Sequence, residues 1–149
     1  MDADALKQLV GDMLSALCVS VDTIEVSSGG RTVVAVSTPD SSLVIGERGE
    51  TLQALNTLAR RIAEKRSGRE AASFLIDVNG YHEGRLQEMR DKVKLLAERA
   101  RTFNHEVELE PMSSYERLVV HEMFAEDPNI ETESRGEGKI RHIVLKCKK

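Results

Sequence analysis

The sequence predicts an α+β protein made of two small units, and three observations lead there. Leu6, Leu9, Val10, Met13, Leu14 and Leu17 recur at helical spacing, so the chain opens on an amphipathic helix. Two β-branched runs, "TIEVSS" and "RTVVAVST", lie on either side of Gly29-Gly30 and read as a hairpin. Near "NGYHEG" the texture changes from short strands to a long helical seam. A chain of 149 residues is enough for two such units.

The remaining elements follow in order. "PDSSLVIG" begins with a capping-type cluster and holds a short helix. Leu52, Leu55, Ala59 and Ile62 define a longer helix from about Glu50 to Arg66, which "SGRE" breaks. "SFLIDV" is a third strand, ended by Asn79-Gly80. The first half is therefore helix, strand, strand, helix, helix, strand. In the second half Leu86, Met89, Val93, Leu96, Ala100 and Phe103 recur by threes and fours, giving a long helix from near Arg85 with one apolar seam. "HEVELEP" is a short strand stopped by Pro111. "SSYERLVVHEMFAED" is a helix that Ser113 or Ser114 caps, with Glu116 placed for a capping box. "IETES" and "KIRHIVLKCK" are strands joined at "RGEG". The expected domains are residues 1–80 and 81–149.

Composition narrows the function. Apolar residues are 40% and charged residues 31%, the balance of a soluble globular protein. Aromatic residues are only 3%, which argues against holding bases on many stacked rings. The net charge is −4, so a polyanion has to meet a local patch. The start carries Asp2 and Asp4 and no basic region, unlike a signal peptide, and no apolar run is long enough to span a bilayer. Cys18 and Cys147 lack metal-ligand spacing and read as small hydrophobes in a reducing cytoplasm. There is no HExxH, no CxxC and no defensible Ser-His-Asp order, and His82, His105 and His142 read as surface or loop residues. No catalytic group, metal site or cofactor is expected, and a nucleotide hydrolase ranks far behind a binding protein.

The most informative stretch is "SLVIGERGETLQALNTLARRI". Gly46 and Gly49 stand just before a helix N-terminus, whose free N–H groups favour an anion. Glycine lets a phosphodiester approach the backbone, and Leu43, Val44 and Ile45 are available to floor a groove for unstacked bases. The Lys-Ser/Thr of a P-loop is missing, so ATP fits less well. Glycine spacing alone favours a plain turn, but the element order reverses that preference. "LVIGERGETLQAL" within this order resembles a type II KH domain with its GxxG loop. The resemblance implies a mixed three-stranded sheet covered on one face by three helices, with the loop clamping about four nucleotides. It makes Gly46, Glu47, Arg48 and Gly49 the loop residues and puts Ile45 beside the groove. Glu47 departs from the more positive inner pair usual in the family and repels phosphate. Arg60, Arg61, Lys65 and Arg66 on the following helix form a basic patch, although a solvated helix face is the commoner meaning of such a run.

In the second half Arg117 and His121 lie four residues apart, one turn along a helix face. With "LEPMSSYER" before and "ESRGEG" after, the segment resembles the R-three-H domain, a small α+β domain that binds single-stranded nucleic acid. By that resemblance Arg117 donates to phosphate, and His121 donates to phosphate or stacks on a base. Lys139 and Arg141, on the strand after the turn, rank behind them. The two domains in this order resemble the bacterial Jag family, without the extra N-terminal domain that many members carry. Membership implies a cytoplasmic protein binding single-stranded RNA in post-transcriptional regulation, linked to envelope growth or division. It also implies pairing with a small stand-alone KH protein and an indirect link to a membrane insertase, with no membrane insertion. The alternative is a protein-interaction adaptor that pairs with a small KH protein and binds little RNA.

Overall fold

The computed structural model describes residues 1–148 and divides into two compact units, Met1–Glu83 and Gly84–Lys149. The first contains α1 (Ala3–Ala16), β1 (Thr23–Gly29), β2 (Arg31–Ser37), α2 (Ser41–Ile45), α3 (Glu50–Ser67) and β3 (Phe74–Val78), the order the hydrophobic pattern predicts. Asp2 caps α1, its carboxylate accepting from the Ala5 N–H at 2.8 Å. Leu6, Leu9, Val10 and Leu14 are the buried stripe of α1. Two expectations fail just beyond it. The helix stops at Ala16, Leu17 is exposed, and Cys18 takes a left-handed conformation (φ 59°) that leaves it exposed rather than packed.

The sheet order is β1-β2-β3, with β1 antiparallel and β3 parallel to β2. Val34, Val36, Phe74, Ile76 and Val78 share a core with the α1 stripe and with Leu52, Leu55, Ala59 and Ala63 of α3. This order leaves β3 with a free edge, and side chains of α3 cover it. The Asn56 carboxamide accepts from the Ile76 N–H at 2.7 Å and donates to the Ile76 carbonyl at 3.0 Å. One turn later, Arg60 Nε donates to the Phe74 carbonyl at 2.9 Å. Backbone groups that would otherwise be buried without partners, or offered to a foreign strand, are met within the unit.

Asn79, with φ 50°, turns the chain after β3, and its carboxamide bonds the Thr38 N–H and carbonyl at 3.0 and 2.9 Å. The next helix, α4 (Tyr81–Phe103), starts before the expected Arg85. The cause is Asp77, whose carboxylate accepts from the His82 N–H at 2.8 Å and serves the first turn.

The second unit holds most of α4, then β4 (Val107–Glu108), α5 (Ser114–Met123), β5 (Ile130–Arg135) and β6 (His142–Cys147). The sheet is antiparallel in the order β4-β6-β5. Val93, Ala97 and Ala100 of α4 pack with Leu109, Val120, Phe124, Ile130, Ile143 and Leu145. Phe103 closes the predicted seam in sequence but is 66% exposed, because Asn104 (φ 50°) ends the helix and the chain turns away there. Among the described residues no helix is long and apolar enough to cross a membrane.

Candidate nucleic-acid interface

The predicted residues fall into two groups, one in each unit. In the first, α2 ends at Ile45, a 3₁₀ turn spans Glu47–Gly49, and α3 begins at Glu50. Val44 enters the core, Ile45 is half-buried against it, and Leu43 points outward, so the short helix offers Leu43 and Ile45 rather than all three residues as a floor. Gly46 adopts φ 73° and ψ −174°, a region essentially reserved for glycine. A Cβ there would stand 2.1 Å from Thr51 Oγ1. A Cβ on Gly49, at φ 77°, would meet the Tyr81 hydroxyl at 2.8 Å. Both glycines are therefore required by Thr51 and Tyr81, two residues that spacing did not single out.

Between them Arg48 is held at φ 54°, ψ 22°. The side chains of Glu47 and Arg48 are exposed and make no hydrogen bond or ion pair among the described residues. No side chain caps α3; the Gly49 N–H donates to the Gly46 carbonyl at 3.4 Å and the Glu50 N–H to the Glu47 carbonyl, and the Glu50 side chain sits in that first turn. The predicted basic patch does not join this loop. Arg61, Lys65 and Arg66 lie roughly 18–25 Å along α3 from Gly49, at 1.5 Å per residue. Arg60 is held at the β3 edge, its guanidinium pulled below the usual range by burial and then by Arg31. Arg61 faces Glu64 at 3.6 Å. Lys65 and Arg66 occupy the last turn, where cations suit the helix dipole.

In the second unit Ser113 caps α5, and the capping box with Glu116 is complete: Ser113 Oγ accepts from the Glu116 N–H at 3.2 Å and Glu116 Oε2 from the Ser113 N–H at 2.8 Å. This fixes the helix start that sets where Arg117 and His121 project. Arg117 donates through Nη1 to the Met112 carbonyl at 2.8 Å and through Nη2 to Ser114 Oγ at 3.1 Å. The Met112 N–H in turn donates to the Arg141 carbonyl at 3.2 Å. Met112 thus links the Arg117 guanidinium to the backbone of Arg141. Arg141 braces the turn, donating to the Gly136 carbonyl at 2.8 Å. Neither Lys139 nor Arg141 is on a strand, contrary to the sequence reading. A 3₁₀ turn spans Gly138–Ile140, Arg141 follows it, and β6 begins at His142. His121 Nδ1 bonds Thr132 Oγ1 at 2.6 Å, which fixes the ring orientation.

Sequence reasoning missed Met112 and Thr132. A signal existed for Thr132: alternation in "IETES" puts it on the same face as Ile130, which is buried. The arrangement offers a guanidinium with two of its five donors engaged, an oriented imidazole and a neighbouring arginine. It is suited to donate to phosphate oxygens.

Residues 85–146 match the R-three-H domain. The match encloses Arg117, His121, Lys139 and Arg141. The chain is also similar over most of its length to proteins named RNA-binding protein KhpB. It is 29% identical over 144 residues to that of Clostridium symbiosum, covering 97% of this chain and 64% of the relative. It is 33% identical over 111 residues to that of Bacillus subtilis strain 168, covering 73% and 53%. With the protein of Lactiplantibacillus plantarum the identity is 28% over 138 residues, covering 92% and 42%. The chain spans less than two thirds of the length of each of these relatives.

Proposed function

We propose that this chain binds single-stranded RNA through two surfaces and catalyses no reaction. The observation that carries the reading is the R-three-H match over residues 85–146, with Arg117 and His121 one turn apart on a capped helix. The names of the relatives support RNA as the polymer. The second surface is the Gly46–Gly49 loop, read as the GxxG loop of a type II KH domain. Its support is the helix, strand, strand, helix, helix, strand order and the mixed three-stranded sheet. Ile45 borders the groove, the Glu47 and Arg48 N–H groups meet the phosphodiester backbone, and Arg48 supplies the local charge. Lys139 and Arg141 extend the Arg117 surface.

The cellular role that goes with this reading is post-transcriptional regulation in the bacterial cytoplasm, tied to envelope growth or division. Its partners are a small stand-alone KH protein and, indirectly, a membrane insertase. A second reading is a protein-interaction adaptor that binds little RNA. It is favoured by Glu47 and Glu50 at the loop and by the structural use of Arg60. Fluorescence anisotropy with labelled single-stranded RNA separates the two. Arg117→Ala with His121→Ala is expected to weaken binding about tenfold or more, the loss of one or two charge-assisted bonds. Wild-type affinity in the double variant would move the adaptor reading ahead.

A further inference from the structure

From the geometry at the end of α4 we infer that Phe103 and His105 form a stacking platform for one unpaired base of the bound strand; this rests on the RNA-binding reading above. In a chain with 3% aromatic residues, these rings lie nearly parallel, 13° between planes and 6.0 Å between centroids, on the surface. Phe103 remains 66% exposed despite the stack, so a flat apolar surface is open to a third ring. The arrangement has a backbone cause. Asn104 takes φ 50°, a conformation Asn tolerates better than most residues, and this turn sets its two neighbours side by side.

The rings border a groove of about 680 Å³ whose apolar wall is Leu96 and Val107 and whose rim includes exposed Arg99. Glu106 and Glu108 also line the groove. Glu106 is held by Arg135 at 3.2 Å, and the Arg135 bond keeps its carboxyl below the ordinary range. Glu108 stands 3.8 Å from His142 Nε2. Both Glu106 oxygens are bonded to Arg135, so the exposed Glu108 carboxylate is the one placed to accept from the exocyclic amino group of a stacked cytosine or adenine. Stacking needs no phosphate contact and tolerates every base.

The chain has no Trp, so Phe103→Trp introduces a single fluorescent reporter at the platform. Its emission is expected to be quenched by saturating single-stranded RNA and not by an abasic strand of equal length. Phe103→Ala is expected to weaken RNA binding about 5- to 100-fold, with an unchanged melting temperature and the same salt slope as wild type. Unaltered affinity in Phe103→Ala, or equal quenching by abasic and base-bearing strands, overturns the platform. So does loss of self-association in Phe103→Ala with RNA binding intact, because the rings then serve a protein contact. If Arg117→Ala weakens binding and Phe103→Ala does not, the platform alone falls. If the wild-type chain binds no RNA, the RNA-binding reading itself falls.

Discussion

At Gly46 the backbone, the packing and the proposed ligand all exclude a side chain. Gly46→Ala forces a Cβ into a glycine-only conformation and onto Thr51, and is expected to cost about 1–3 kcal/mol for the strain alone. Urea denaturation measures it; a variant as stable as wild type would contradict the described loop. Arg48 gives a cleaner test of binding. It is exposed in the left-handed region, which Asp also tolerates, so Arg48→Asp is expected to leave the melting temperature unchanged. It also puts a second carboxylate beside Glu47, and single-stranded RNA affinity should drop several-fold through repulsion. Equal anisotropy titrations for the two proteins would remove the loop from the binding surface.

Two elements depend on side chains that finish backbone bonding. The β3 edge relies on Asn56, and Asn56→Ala leaves the Ile76 N–H and carbonyl without that partner. The expected loss is roughly 2–4 kcal/mol for two buried groups, read from denaturation midpoints; a change within about 0.5 kcal/mol, the scatter of an ordinary surface substitution, would show that the edge is met otherwise. The link from α5 to β5 relies on Asp127, which accepts from the Asn129 N–H at 2.8 Å, the Ile130 N–H at 3.0 Å and the Arg101 guanidinium. The Asn129 bond first, then Arg101, hold its carboxyl below the ordinary value. A carboxyl depressed in the folded state favours folding at pH values above its unfolded pKa, and that contribution disappears as the pH falls through the folded pKa. Asp127→Asn is therefore expected to lower stability by roughly 1–2 kcal/mol at neutral pH and to match wild type more closely below about pH 4. A constant difference from neutral pH down to about pH 3 would remove Asp127 from the acid limb.

For the whole molecule, the net charge of −4 means that the proposed RNA affinity has to come from a few local contacts. Two weak surfaces on one chain reinforce each other when one strand reaches both. A long single-stranded RNA should thus bind more tightly than a short one. Arg117→Ala with His121→Ala should remove most of that advantage and reduce the log–log salt slope by about 0.7 per lost phosphate contact. Salt titrations with both RNA lengths test this; identical slopes for wild type and variant would make the Arg–His pair a surface feature.

What the sequence determined by itself is whatever depends on local pattern. Periodicities of two and of three to four placed the helices and strands, and Ser113 with Glu116 marked the start of α5. The spacing of Arg117 and His121 was equally legible, because residues four apart on a helix share a face. Tertiary structure decided everything that needs a partner distant in sequence. Periodicity cannot tell that Asn56 and Arg60 serve the free edge of β3, since that edge exists only once the strands are ordered. It cannot tell that Thr51 and Tyr81 require the two glycines, or that Met112 joins Arg117 to Arg141. Phe103 escapes the pattern because a seam running to the end of a helix looks the same whether its last ring is buried or not. The turn at Asn104 made the difference, and its conformation is set by the chain folding back into β4 rather than by the helix pattern before it.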